Sequence, residues 1–286
     1  MLGKVINKVQ YIWNCWKEKK YYGSGNEKRV RELQNSLTKK QCNTLLITIA
    51  FNNEQVIGTQ IKQVEKYCQD KEYVHLIMDN SGDEKVKRKI ENVVKENQSE
   101  KIIYFSMPKS NPYSGKAPSS SHGAALNWCW YNVINQVNNL RYVMFLDHDI
   151  FPTRNFSVKN LLNNQTVYGL KDARDKFWYL WPGYCMFNVA CLKNKKVNFM
   201  PGKYGDTGAM NYPIIYQKCC VEKMKFATEK MICINENIEQ TNQILQRDNV
   251  QVIDETWLHM INASNWFKLE NVEEKYKKVV NLLKKT

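Results

Sequence analysis

The sequence predicts an α/β fold built on a parallel sheet, with an added helix at each end of the chain. Two observations carry this. Between residues 42 and 149, short apolar runs alternate with stretches at helical spacing, in the order strand, helix, strand, helix, strand, helix, strand. Each apolar run closes in a polar or acidic turn. Right-handed crossovers lay such strands side by side, and ligands then bind beyond their carboxyl ends.

The elements follow in order. Leu2, Val5, Ile6, Val9, Ile12, Trp13 and Trp16 recur at helical spacing among Lys4, Lys8, Lys17, Lys19 and Lys20, which predicts a basic amphipathic helix within residues 1–40. Its apolar stripe packs on the domain, packs on a second copy in a homodimer, or lies on an anionic membrane through residues 1–20. TLLITIAF (44–51) is a buried strand stopped by Asn52 and Asn53, and a helix follows to residue 69. YVHLIMDNSGD (73–83) is a second strand and its polar turn, and residues 83–97 are helical through Val86, Ile90 and Val93. KIIYFSM (101–107) is a third strand. PKSNPYSGKAPSSS reads as a loop and HGAALNWCWYNVINQVNN as a helix. YVMFLD then forms a fourth strand that ends in Asp147, His148 and Asp149.

The second half is aromatic. KDARDKFWYLWPGYCMFN (171–188) offers Trp178, Tyr179, Trp181 and Tyr184 for stacking on a ligand or for ordinary core packing, with a turn at Pro182-Gly183. MPGKYGDTGAMNY (200–212) sets Asp206 among glycines ahead of a helix expected over 212–225. WLHMINASNW (257–266) carries His259, and VEEKYKKVVNLLKK closes the chain as a basic amphipathic helix. The expected limits are 1–40, 41–270 (in two halves, 41–155 and 156–270) and 271–286.

Composition narrows the class. A hydrophobic share of 43% and 12% aromatics exclude a disordered chain. Forty-two basic against 28 acidic residues, net +14, favour anionic partners without choosing among phosphates, nucleic acid and membrane. Nine cysteines without a CxxC spacing signal neither a disulfide framework nor a zinc ribbon, so free thiols and a reducing, cytoplasmic setting are expected. The longest apolar run, FWYLWPGYCMFNVACL, is broken by Pro182 and falls short of the roughly 20 residues that span a bilayer.

Two acids closing so apolar a strand are costly to bury without a cation or strong donors. In an extended segment Asp147 and Asp149 point one way and His148 the other. A hard divalent ion fits such a pair and keeps positions for phosphate oxygens, whereas either acid alone also suits a turn cap before Pro152.

With LLITIAFNNE, LIMDNSGD and SSSHGAALNW preceding it in order, this acid-x-acid turn resembles that of glycosyltransferases with the GT-A fold, in particular the family-two type. The resemblance spans roughly residues 44–266. It implies a Rossmann-like, mixed and mainly parallel sheet flanked by helices. It also implies Mn²⁺ or Mg²⁺ held by Asp149, Asp147 and His259. Nucleotide contacts would come from Ala50, Asn52, Asp79, His122, Asn127, Asp147 and His148, with His122 and Gly123 at a helix N-terminus near the diphosphate. Trp181 and Gly183 would border donor sugar and acceptor. Leu126-Asn127 stands where the family carries Arg-Asn, so one basic contact is absent.

The implied reaction transfers a sugar from a nucleoside diphosphate, UDP favoured and GDP possible, to a hydroxyl of a glycan or other acceptor. Asp206 would be the base of an inverting displacement, ahead of Asp172, Asp175, Asp254 and Glu255. A retaining transferase would share the metal site without needing that base. A metal-dependent nuclease fits the paired acids and the charge, and an inactive relative would bind without turnover; under the transferase reading no nucleic acid partner is expected.

Overall fold

The computed structural model describes Trp13 and residues 16–115, 117–193, 195–234, 249–263 and 272–286. Trp13 and residues 16–23 are helical, and α1 (Lys28–Lys39) follows. The main unit then runs β1 (Thr44–Ala50), α2 (Glu54–Tyr67), β2 (Tyr73–Asp79), α3 (Glu84–Glu96), β3 (Ile102–Ser106), α4 (Pro118–Asn132) and β4 (Tyr142–Asp147). Next come β5 (Ile150–Pro152), α5 (Val158–Leu162), β6 (Val167–Arg174), β7 (Phe177–Asn188) and α6 (Val189–Leu192). Strands β8 (Glu229–Cys233), β9 (Asn249–Ile253) and β10 (Trp257–His259) precede the last helix, α7 (Val272–Lys284).

The main sheet has the order β3-β2-β1-β4-β7-β6. Its first four strands are parallel and β7 and β6 are antiparallel to their neighbours, giving the mixed, mainly parallel sheet expected. A second sheet, β5-β10-β9-β8, is antiparallel.

Helices on both faces explain the unbroken apolar runs. Along β1 the side chains alternate: Leu45, Ile47 and Ile49 join the core formed with Ala124, Ala125 and Trp128 of α4. On the other face Leu46 meets Val64, and Ala50 meets Ile57 and Ile61. Each buried leucine, isoleucine or valine among them contributes about 1.5–3 kcal/mol by leaving water. Asn53 starts α2 by accepting from the Val56 amide at 3.1 Å.

Three boundaries differ from the sequence expectation. Helix α4 begins at Pro118, so SSS belongs to its first turn and His122 lies more than one turn inside; proline suits N1 because that position needs no N–H. The chain does not turn at Pro182-Gly183, which lie within β7. There the β6 register shifts between Gly169 and Lys171, so residues 181–184 have no β6 partner and Pro182 forfeits no β6 ladder bond. Finally, residues 212–225 form no α-helix; 3₁₀ turns occupy Ala209–Asn211, Tyr216–Lys218 and Val221–Lys223. Ile214, Ile215, Val221 and the Cys219-Cys220 pair are weak helix formers, and Ile215 and Tyr216 are drawn into the core instead.

The terminal helices are tied to the main body. Val30, Leu33 and Leu37 of α1 belong to the largest core, and Val279 and Leu283 of α7 pack with Val56, Phe151 and Leu258. Of the N-terminal stripe, residues 1–12 lie outside the described residues, while Trp13 and Trp16 are 51% and 52% exposed. No helix among the described residues is long and apolar enough to cross a membrane. No disulfide joins any of the eight described cysteines.

Candidate active site

The strand that carries the acids changes sheets at the acids. β4 stays in the main sheet to Asp147; His148 and Asp149 form a turn; β5 then pairs with β10 of the second sheet, Ile150 opposite His259. This exchange brings residues 110 positions apart together. His259 Nε2 lies 3.5 Å from Asp149 Oδ1, and the Ala263 amide donates to Asp149 Oδ2 at 3.0 Å. The Met260 amide donates to the Asp149 carbonyl at 2.9 Å. Asp149 is 5% exposed. Burial alone would raise its pKa, but His259, His148 and the Ala263 amide outweigh that and hold the carboxyl well below the usual range.

The chemistry of this pair follows from its neighbours. Gln251 donates from Nε2 to Glu229, so its Oε1 faces His259 Nδ1, at 2.7 Å. Nδ1 must therefore carry the ring proton. In a neutral ring Nε2 is then a bare lone pair directed at a carboxylate. Two acceptors so placed call for a cation, either a proton on the ring or a metal ion, and imidazole with carboxylate is a donor set that Mn²⁺ accepts. Trp181 covers the ring with its centroid 5.1 Å away. Gly183 makes this possible, because a Cβ there would come within 2.1 Å of the Trp181 ring.

Asp147 faces another histidine. His122 Nε2 lies 3.7 Å from Asp147 Oδ1. Burial lowers the His122 pKa; Asp147 and Asp206 pull it up and His148 pushes it further down, so all three lie within its electrostatic reach. His148 is buried, and its Nε2 has no hydrogen-bond partner among the described residues. Because the strand ends at Asp147, the alternation that would align both acids stops there. Among the described residues no group of three or more His, Cys, Asp or Glu gathers to hold a metal, so the three-ligand set of Asp149, Asp147 and His259 is not assembled.

Asp206 is exposed in a loop seated by its glycines. Gly205 (φ 147°) lies so close to Tyr179 that a Cβ would meet the ring at 2.5 Å, and Gly208 has φ 91°. The Asp206 amide donates to Tyr179 Oη at 3.1 Å, and Thr207 Oγ1 donates to the Ser119 carbonyl at 3.0 Å, fastening the loop to the first turn of α4.

Two expected nucleotide contacts are spent within the fold. Asp79 is fully buried; its Oδ1 accepts from the Ser81 amide at 2.8 Å and its Oδ2 from Tyr104 Oη at 2.9 Å, so it holds the turn after β2 instead of reaching outward. Asn127 is buried and clamps residues 198–199, accepting from the Phe199 amide at 2.7 Å and donating to Asn198 Oδ1 at 3.1 Å. Ala50 is buried, with its carbonyl bound to the Asn80 amide at 3.0 Å. Asn52 remains exposed in a left-handed conformation (φ 52°), its amide donating to Ser81 Oγ at 3.0 Å.

Residues outside the expected set surround this edge. Asn80, Ser81, Lys87, Lys109 and Asn111 line a cavity of about 140 Å³ at the carboxyl ends of β2 and β3. Burial lowers the pKa of Lys87, whose Nζ donates to Ser106 Oγ at 3.1 Å. A larger hollow of about 500 Å³, lined by Gly58, Lys62, Val93, Glu96 and Tyr276, lies among α2, α3 and α7 and includes none of these acids or histidines.

The sequence matches no family model and no curated protein. Among solved structures the chain is similar to the galactosyltransferase LgtC in complex with donor and acceptor sugar analogues, at 14% identity and a TM-score of 0.36 over 51% of this chain and 58% of that one. An active-site mutant of LgtC gives 14% and 0.37 over 51% and 57%. The mannosyltransferase PcManGT from Pyrobaculum calidifontis, in complex with GDP-Man and Mn²⁺, gives 10% and 0.36 over 62% and 56%. The chain thus spans rather more than half the length of each. The likeness is one of fold over part of each chain and says nothing of ligand or reaction.

Proposed function

We propose that the chain is a metal-dependent glycosyltransferase moving a sugar from a nucleoside diphosphate to an acceptor hydroxyl. One observation carries the reading: Nε2 of His259 and the carboxylate of Asp149 face each other at 3.5 Å, where the strand bearing the acids leaves the main sheet. Asp149 and His259 would hold Mn²⁺ or Mg²⁺, which when bound neutralises the departing diphosphate. His122, on the Asp147 side, would steady the phosphate oxygens, and the cavity at Asn80 and Ser81 would take the nucleoside, UDP in preference to GDP. Asp206 would accept the proton of an attacking hydroxyl, on a glycan or another acceptor, and this gives inversion. The test is thermal stability with UDP, GDP, CMP or dTDP, each with and without Mn²⁺, for wild type and Asp149→Ala. A ligand at 100 times its Kd adds about 2.7 kcal/mol. A stabilisation that needs metal and is lost in the variant supports the reading; no response to any nucleotide sinks it.

We also propose that the N-terminal helix seats on an anionic membrane surface. Trp13 and Trp16 are stacked at 5.3 Å, with Lys17 and Lys20 over their rings at 5.1 and 5.7 Å. These four positions share one side of a helix. Buried Tyr21, and Glu18 bonded to Tyr113, tie the helix to the domain. Half-exposed tryptophans rimmed by lysines match a negatively charged lipid interface in both polarity and charge.

A further inference from the structure

The turn that carries the acids hangs on one buried side chain that the proposed reaction does not touch. Gln60 of α2 is fully buried, and its Nε2 donates to the carbonyls of Asp147 at 2.7 Å and Ile150 at 2.8 Å, the two groups that bracket His148 and Asp149. A carboxamide nitrogen has two protons, and both are spent there. Its Oε1 accepts from Thr48 Oγ1 at 2.7 Å. With its single proton given to Gln60, Thr48 must be the acceptor in its 2.9 Å contact with His75 Nε2. Nε2 therefore bears the imidazole proton and Nδ1 is bare, in agreement with a buried Nδ1 that has no partner. Burial also pushes the His75 pKa down to about 3, so the ring stays neutral.

Every polar hydrogen in this line thus has one assignment, from His75 on β2 through Thr48 on β1 to Gln60 on α2 and the two carbonyls. Turning the carboxamide over would set Oε1 against both carbonyl oxygens, an arrangement with no donor on either side. The line crosses two strands and a helix to reach the turn where the chain passes from β4 of the main sheet to β5 of the second.

We propose that Gln60 is the positioning residue of the acid-bearing turn, with Thr48 and His75 fixing the orientation of its carboxamide. Its effect on ligand binding rests on the donor-site reading above; its effect on the turn does not. Supporting groups behind a metal site commonly contribute about 10–100-fold in affinity.

The experiment compares wild type, Gln60→Leu, Thr48→Val, Thr48→Ser and Val64→Ala, a buried apolar truncation one turn further along α2. Calorimetry reads the Kd of UDP with Mn²⁺, and amide exchange reads the protection of Met260 and Ala263, whose amides bind Asp149. Gln60→Leu is expected to raise Kd about tenfold or more, Thr48→Val to raise it less, and Thr48→Ser to restore it. Both amides lose protection in Gln60→Leu and Thr48→Val, whereas Val64→Ala lowers Tm with Kd and these amides unchanged. If wild type binds no nucleotide, the donor reading falls and exchange alone decides. Protection of Met260 and Ala263 that is the same in wild type, Gln60→Leu and Thr48→Val overturns the inference. Should Gln60→Leu not fold, Thr48→Val against Thr48→Ser carries the same decision.

Discussion

His259 and Asp149 meet across the seam between the two sheets, nitrogen to oxygen at 3.5 Å, with the ring proton committed to Gln251 on the far side. A histidine so placed serves either as a metal ligand or, when protonated, as the partner of its counter-ion. The two differ in what a neutral ring substitute does. His259→Phe keeps a flat ring beneath Trp181 and removes Nε2. We expect it to fold and to lose the Mn²⁺-dependent nucleotide stabilisation, with Kd weakened by at least the roughly tenfold that even outer groups contribute. Titration with Mn²⁺ and nucleotide checks this; an unchanged Kd would leave His259 as a structural ion pair only.

His75 gives the protein a measurable dependence on pH. Its folded pKa, held down to about 3 by burial, lies below the ordinary histidine value of roughly 6.5. Below that value the unfolded chain binds a proton that the folded chain refuses, so stability falls as pH drops from about 6.5 towards 3. The slope from this group approaches about 1.4 kcal/mol per pH unit. Denaturant unfolding of wild type and His75→Leu between pH 7 and 4 should show the variant less stable at pH 7 but with a slope shallower by up to one proton. Parallel slopes would mean that His75 titrates normally.

The strands and helices of the parallel half are legible in the sequence because a strand covered on both faces needs an unbroken apolar run, which is a local property. Asp147 and Asp149 stand out for the same reason, as charges that such a run does not require. What each acid faces is not local. The change of sheet after Asp147 gives Asp149 to His259 and leaves Asp147 to His122, a partition that spacing within D-H-D cannot encode. Asp79 shows the converse: a strand-end acid looks available until Tyr104 and the Ser81 amide are seen to occupy both oxygens. Gln60 did leave a signal. In EQVIGTQIKQVEKY it sits on the buried stripe with Val56, Ile57, Ile61 and Val64, and a polar residue on an apolar stripe has a bond to make.

Asp206 separates binding from turnover. Its side chain is exposed and accepts from the Thr207 amide at 2.7 Å, so Asp206→Asn keeps the loop's size and most of its contacts. If it is the base, turnover falls by about 10²–10⁴-fold while nucleotide and Mn²⁺ bind as before. Sugar transfer to acceptor, measured beside nucleotide Kd, gives both quantities. Full turnover in the variant would remove the base and with it the argument for inversion, and anomer analysis of the product would then decide between inverting and retaining transfer.

Gly183 links backbone shape to the site. An added Cβ meets the Trp181 ring at 2.1 Å, so Gly183→Ala must drive the indole away from His259 or shift β7 where it has no β6 partner. Overpacking of this kind costs about 1–3 kcal/mol. We expect a lower Tm together with weaker Mn²⁺-dependent binding, and reduced quenching of Trp181 fluorescence by the imidazole. A fall in Tm with binding unchanged would show that Trp181 does not steady His259.

The membrane reading is tested with the whole chain and vesicles. Flotation with neutral phosphatidylcholine is compared with phosphatidylcholine containing phosphatidylglycerol, at low and high salt. Because Trp13 and Trp16 are half-exposed and absent from the buried cores, Trp13→Ala with Trp16→Ala should leave Tm unchanged. The expected result is binding to anionic vesicles that weakens with salt and falls at least tenfold in the double variant, since burying an aromatic side chain contributes roughly 1.5–3 kcal/mol and a factor of ten needs about 1.4. Binding that depends on the lysines alone would show a general response to the +14 charge and would sink the tryptophan seat. A dimer that dissociates in the double variant, with no flotation of wild type, would assign the same face to a second copy of the chain.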